Sequence, residues 1–286
     1  MSISQPWRDL LYPGEATDFF ARASFPPFEP DAKGFSRANA LWLAEFSRLI
    51  YRHDLKEGPP FQIPSLDDFL VRIGFTKQFF FQSHKKDTQA VLAYTAKPVE
   101  FAVLAFRGTE QTSGDFETDL KLWKNFLSFA KSPLRSPSQS QAWVHAGFRE
   151  ALDAIWQDVK IQLAQLPRSC PVFFTGHSLG AALATLAAAR HTPRAVYTFG
   201  SPRVGNRAFA EQLSGIPIFR VIDDKDIVTQ LPPEKIWFRK TGFVHVGEEF
   251  HIGSEHPSPD APLLDAWQMP PKPFLDHAPI CYVSRL

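Results

Sequence analysis

The sequence predicts an α/β fold in which a mostly parallel central sheet carries helices on both faces. Three observations carry this. From about residue 100 onward, short apolar runs rich in aromatic and β-branched residues alternate with segments of helical period. One such run, Pro171-Val172-Phe173-Phe174-Thr175, passes through Gly176-His177-Ser178-Leu179-Gly180 directly into the alanine-rich segment 181–189. That order of strand, glycine-flanked serine and helix belongs to a sharp strand-to-helix turn. Finally, no internal repeat and no long linker divides the 286 residues, so 1–286 reads as one domain.

The elements follow in chain order. Residues 1–35, with Phe25-Pro26-Pro27-Phe28-Glu29-Pro30, read as an extended N-terminal segment. Ser36 can cap a helix in which Ala40, Leu43, Ala44, Ser47 and Ile50 recur at helical spacing. Ser65-Leu66-Asp67-Asp68 opens a second, short helix. Residues 76–82 and 89–95 form a hairpin across the polar Lys85-Lys86-Asp87-Thr88. Residues 100–106 are a more apolar, more central strand. A long helix runs over about 147–165, with Phe148, Leu152, Ile155, Val159 and Leu163 on one face and Pro167 as its stop. Strands at 172–175, 195–199 and 218–222 complete the pattern, and the Ser/Pro-rich 132–141 is a loop.

Bulk properties exclude several classes. At 44% hydrophobic and 21% charged the composition is that of a globular protein, and a net charge of +1 gives no reason to expect a nucleic-acid partner. No apolar run is long enough for a transmembrane segment. Residues 1–11 lack the basic start and apolar stretch of a signal peptide, which reads as cytoplasmic, with secretion of a trimmed form or by a non-standard route as the alternative. Cys170 and Cys281 have no metal or redox spacing and read as two free thiols before a disulfide. The 27 Phe against 5 Tyr and 2 Met could serve a core or a lipid-facing cleft, and composition does not choose.

The chemistry starts at Ser178. Glycines two before and two after it remove side chains that would collide in so tight a turn. The serine then sits at a helix N-terminus, where amides and the helix dipole favour developing negative charge. A serine hydroxyl needs a base, and the base an orienting acid, which in such sheets follow in the order Ser, Asp, His. Asp223, Asp224 and Asp226 cluster beyond the end of a strand, and any one of them could be that acid. His245, His251, His256 and His277 lie downstream. The first two sit in strand-like runs and read as structural, while spacing leaves His256 and His277 in competition. The amide of Leu179 is one oxyanion donor by construction. Arg107-Gly108-Thr109, at the end of the 100–106 strand, offers Thr109 as the second.

These motifs resemble a known family. Phe106-Arg107-Gly108-Thr109, Val144-His145-Ala146-Gly147-Phe148, Gly176-His177-Ser178-Leu179-Gly180, Thr198-Phe199-Gly200-Ser201-Pro202-Arg203-Val204-Gly205, Asp226-Ile227-Val228 with Leu231-Pro232-Pro233, and Asp276-His277 look like the class 3 (fungal-type triacylglycerol) lipases, in the family's order over roughly residues 36–286. The resemblance implies an α/β-hydrolase fold. It also implies Ser178 as nucleophile, Asp226 as acid, His277 as base, and Thr109 with Leu179 as the oxyanion hole. No metal or organic cofactor is implied. The chain departs from the family after the base, where Ala278-Pro279-Ile280-Cys281 separates His277 from Tyr282 and Pro279 could disturb the local helix.

Members of the family carry a movable helix after the oxyanion residue, and here a lid would fall at about 111–131. Ser113-Gly114-Asp115 would form its hinge and cap, with Phe116, Leu120, Trp123, Leu127 and Ala130 on one face. A permanently packed surface helix would show the same spacing. The implied partner is a lipid or ester substrate, presented at a lipid–water interface where the lid opens. The implied activity is hydrolysis of acylglycerols. A phospholipase A1 or feruloyl-type esterase on the same scaffold, or an inert lipid-binding module, are the alternatives.

Overall fold

Phe173 and Phe174 are neighbours in one strand, yet their rings enter different hydrophobic clusters. Every central strand repeats this alternation, as the two-residue period of a strand requires. The computed structural model in which this is seen describes residues 9–10, 12–52, 64–95, 101–108, 141–233, 235–236, 239–253 and 275–286.

Its elements are α1 (Arg37–Leu49), α2 (Leu66–Arg72), β1 (Lys77–Ser83), β2 (Thr88–Tyr94), β3 (Ala102–Phe106), α3 (Ala146–Leu163), β4 (Val172–His177), α4 (Leu179–Ala188), β5 (Ala195–Phe199), α5 (Arg207–Gln212), β6 (Ile218–Asp223), β7 (Lys235–Ile236), β8 (Arg239–Lys240), β9 (Glu248–Ile252) and α6 (Pro279–Arg285). Seven strands form the main sheet in the order β1-β2-β3-β4-β5-β6-β9. β1, β2 and β3 are antiparallel, as the hairpin signal requires, β3, β4, β5, β6 and β9 run parallel, and β7 and β8 form a separate antiparallel pair. The predicted hairpin, long helix and central strands all lie within two residues of these bounds.

Topology explains which helix covers which face. From β3 to β4, β5 and β6 the chain always steps to the same side, so right-handed crossovers must put α3, α4 and α5 together on one face. They are found there, with Leu152, Ile155, Leu183, Ala187 and Phe209 packed on Leu104, Phe174 and Val196. The other face is left for the two ends of the chain. There α1, α2 and α6 cover Val103, Phe173, Tyr197 and Val221.

Local chemistry starts these helices where the sequence places the signals. The Ser36 hydroxyl accepts from the Asn39 amide at 3.1 Å, and Ser65 with Asp68 forms a reciprocal capping box. The abundant phenylalanine goes largely into the terminal-helix face. Phe28 stacks on Phe101 with ring centroids 4.1 Å apart, Phe25 meets Trp42 edge-on at 4.9 Å, and Phe46 meets Phe75 at 5.0 Å. One local expectation is corrected: the run around His245 is not a strand. Val244 only bridges Gly205, which also bridges Val144, because the adjacent sheet edge is occupied by β9.

Candidate active site

Three parallel strands, β4, β5 and β6, end side by side, with Ser178 directly after the first and Asp226 three residues after the last. Ser178 follows β4 with φ +58° and ψ −124°, a strained left-handed setting. Its amide donates to the Phe199 carbonyl at 3.0 Å, which ties the turn to the end of β5. Both flanking glycines are required by contact. A Cβ on Gly176 would lie 2.3 Å from the Gly180 carbonyl group, and one on Gly180 would lie 2.1 Å from the Phe106 carbonyl oxygen. Ser178 and Leu179 are half-buried, so the turn is open to an approaching molecule. Leu179 is the first residue of α4, and first-turn amides have no intrahelical acceptor.

The three candidate acids have separate fates. Asp226 is buried, and its Oδ1 accepts the Val228 amide at 2.8 Å, capping the 3-10 turn Ile227–Gln230. Its Oδ2 faces Nδ1 of His277 at 2.8 Å. Asp223 is ion-paired with Arg285 of α6, and burial pushes its carboxyl up to about 7. Asp224 occupies a turn with φ +37°, its amide donating to the Ile252 carbonyl.

The histidines separate in the same way. His277 is buried beside Asp226. His245 lies 2.8 Å through Nε2 from the Thr229 carbonyl, and burial holds its pKa down at about 3, so it is a neutral Nε2–H donor. It anchors the turn that follows Asp226, since the Thr229 hydroxyl in turn donates to the Asp226 carbonyl at 2.6 Å. His251 is exposed on β9 and paired with Glu249. His256 lies outside the described residues. So do Thr109 and the predicted lid at about 111–131, with Phe116, Leu120 and Trp123. The described chain reaches Gly108, where a Cβ would sit 1.9 Å from Tyr51 Oη and 2.8 Å from the His177 carbonyl oxygen. β3 therefore delivers Gly108 beside the residue that precedes Ser178.

Four further residues of the site have no role predicted from the sequence. Tyr282, buried in α6, donates its hydroxyl to Asp226 Oδ2. Gly200, with φ +59°, directly follows β5; a Cβ there would lie 2.6 Å from Asp226 Oδ2 and 2.8 Å from His277 Cε1 and Nδ1. His177 reaches the His277 carbonyl oxygen with Nε2 at 2.8 Å, and its Nδ1 lies 3.0 Å from the hydroxyl of Tyr51. Pro279 does not disturb the helix after His277. It stands at the start of α6, where a missing N–H costs nothing, and the next amide, Ile280, donates to Asp9 at 2.8 Å. The site thus joins a half-buried serine on a helix N-terminus with a buried imidazole–carboxylate pair at neighbouring strand ends.

Known proteins were compared with the chain on this footing. The profile of the family described as "Lipase (class 3)" matches residues 103–236. A lipase of Rhizomucor miehei is 33% identical over 186 residues, covering 60% of this chain and 47% of that protein. A secreted mono- and diacylglycerol lipase of Fusarium solani is 41% identical over 108 residues, 34% of this chain and 32% of that protein. The chain thus spans less than half the length of these two curated relatives. Among solved structures, the Rhizomucor miehei lipase propeptide complex superposes with a TM-score of 0.55 at 26% identity, over 82% of this chain and 80% of that one.

Proposed function

We propose that the chain is a member of the class 3 lipase family, with the α/β-hydrolase fold, and that it is a serine hydrolase of carboxylic esters, acylglycerols first among them. Ser178 Oγ attacks the ester carbonyl while His277 Nε2 takes its proton. Asp226 holds Nδ1–H, so the ring presents its free nitrogen to the serine and its transient positive charge is balanced. The amides of Leu179 and Thr109 receive the oxyanion. His277 then returns the proton to the departing alcohol. Water, deprotonated by the same ring, attacks the acyl-enzyme and releases the acid. These steps use only side chains and backbone amides, with no metal or organic cofactor.

The observation that supports this reading best is the 2.8 Å contact between His277 Nδ1 and Asp226 Oδ2 beside the end of the strand that precedes Ser178. An imidazole with its acid on one nitrogen, next to a half-buried serine on a strained turn, is a poor arrangement for anything but nucleophilic catalysis. The acylglycerol class rests on the relatives, one a lipase and one a mono- and diacylglycerol lipase. The Fusarium relative, a secreted enzyme by name, also favours secretion over the cytoplasmic expectation. Phe116, Leu120 and Trp123 are proposed as the apolar face of a lid that opens at a lipid surface.

The test is hydrolysis of p-nitrophenyl esters of increasing acyl length, beside a triglyceride emulsion and a phospholipid, by the parent chain and by Ser178→Ala. We expect cleavage of the glyceride and a fall of about six orders of magnitude in the variant. Preference for phospholipid would move the substrate class to a phospholipase A1. Undiminished turnover by Ser178→Ala, or no labelling of Ser178 by a fluorophosphonate, would end the reading.

A further inference from the structure

We propose that His177 is a positioning residue for His277: a neutral imidazole that grips the main chain of the base through Nε2–H, with its tautomer set by Tyr51. The inference rests on the reading of His277 as the general base.

The direction of each hydrogen bond is forced. His177 Nε2 lies 2.8 Å from the carbonyl oxygen of His277, and a carbonyl only accepts, so Nε2 carries a hydrogen. The opposite nitrogen, Nδ1, lies 3.0 Å from Tyr51 Oη. In a neutral ring with Nε2 protonated, Nδ1 is an acceptor, so the phenol donates to it. The neutral form is the one the surroundings favour. His177 is 3% exposed, it stands beside a second imidazole, and burial holds its pKa well below the ordinary value.

The consequence is mechanical. The rings of His177 and His277 lie 4.4 Å apart between centroids, tilted by 34°, so one ring limits the swing of the other. His277 is thereby held twice, at its main chain by His177 and at its ring by Asp226. His177 is also the residue bonded to Ser178. The main chains of nucleophile and base are therefore tied through one peptide unit and one side-chain hydrogen bond. Gly108 completes the arrangement, because a Cβ there would fall 1.9 Å from Tyr51 Oη and push the phenol from its place.

The experiment takes the whole chain with His177→Leu, His177→Gln, Tyr51→Phe and His277→Ala, and measures kcat and KM on a soluble p-nitrophenyl ester. Imidazole ¹⁵N NMR of the unsubstituted protein is recorded across the pH range in which it is folded. We expect His177→Leu to lose about 10²-fold in kcat with KM held within about twofold, as a small misplacement of a catalytic group does. His177→Gln, whose amide can reach the same carbonyl, should recover to within about tenfold of the parent, and Tyr51→Phe should lose about tenfold. The spectrum should show His177 protonated at Nε2 and bare at Nδ1 throughout. An Nδ1–H signal, a His177 that titrates with the base, or equal losses for the Leu and Gln variants would overturn the inference, and the spectrum does so even where a variant fails to fold. Full turnover by His277→Ala would instead overturn the reading of the base. An inactive His277→Ala beside a fully active His177→Leu would sink only the role of His177.

Discussion

The hydroxyl of Tyr282 donates to Oδ2 of Asp226, the same oxygen that receives Nδ1–H of His277. With the Val228 amide on Oδ1, three donors surround a carboxylate whose side chain is wholly buried. That compensates its desolvation and leaves the imidazole one defined lone pair to face.

Replacing Tyr282 with Phe keeps the ring in the core and removes one of these donors. Turnover should fall about tenfold with KM nearly unchanged, the cost of one hydrogen bond to a charged group. Burial and the adjacent Asp226 hold the phenol's pKa well above its usual value, so the donor is present throughout the working range. The defect should therefore be the same at every pH from about 6 to 9. A pH–rate profile checks this, and a defect confined to one limb of it would mean that Tyr282 acts by titrating.

Gly200→Ala tests the packing of the same pair. A Cβ at this left-handed position would stand 2.6 Å from Asp226 Oδ2 and 2.8 Å from His277 Nδ1. Backbone strain adds about 1–2 kcal/mol for a residue with a Cβ. The variant should lose at least about 10²-fold in kcat, and fluorophosphonate should label Ser178 correspondingly slowly. A variant that labels at the parent rate would show that the imidazole–carboxylate pair tolerates displacement.

The order of strands and helices was legible because each central strand is apolar and short, α1 and α2 open on capping serines, and each crossover is long enough for a helix. Ser178 was legible for a related reason, since a strained turn demands glycines at two fixed offsets. Asp226 and His277 were not separable by spacing from Asp223, Asp224 and His256, because a carboxylate in a polar loop looks the same whether it meets Arg285 or an imidazole. Only the resemblance to a family chose between them. Tyr282 and Tyr51 were illegible, since each is one aromatic residue among many and its hydroxyl acquires meaning through a partner on a distant element. His177 could have been suspected: it occupies the position before Ser178, and a histidine in a strand with fully buried neighbours needs two hydrogen-bond partners. Pro279 misled in the other direction, because a proline two residues after His277 reads as a disturbance until it is seen to open a helix.

The last prediction concerns the ion cluster under the terminal-helix face. Arg48, with no exposed surface, meets Asp9 through Nε at 2.8 Å, Asp18 through Nη2 at 2.6 Å and Glu45 through Nη1 at 3.6 Å. One guanidinium cannot balance three carboxylates out of water, and the most weakly paired, Glu45, is pushed by burial up to about 7 from an ordinary 4.5. Folding therefore favours its protonated form. Its contribution is fully present below about pH 4.5 and is lost as pH rises toward about 7, because there the unfolded chain has released a proton that the folded chain must still give up. Glu45→Gln keeps the oxygen that accepts the Phe20 amide at 3.0 Å and removes this titration. The variant should gain on the parent across that window, by up to about 3 kcal/mol at pH 8. Buried acids outside the cluster, Asp223 among them, titrate in both proteins and cancel from the difference. Urea unfolding of parent and variant at pH 5 and pH 8 measures it. Equal differences at the two values would mean that Glu45 stays ionised in the fold and that Arg48 is paired with three charges.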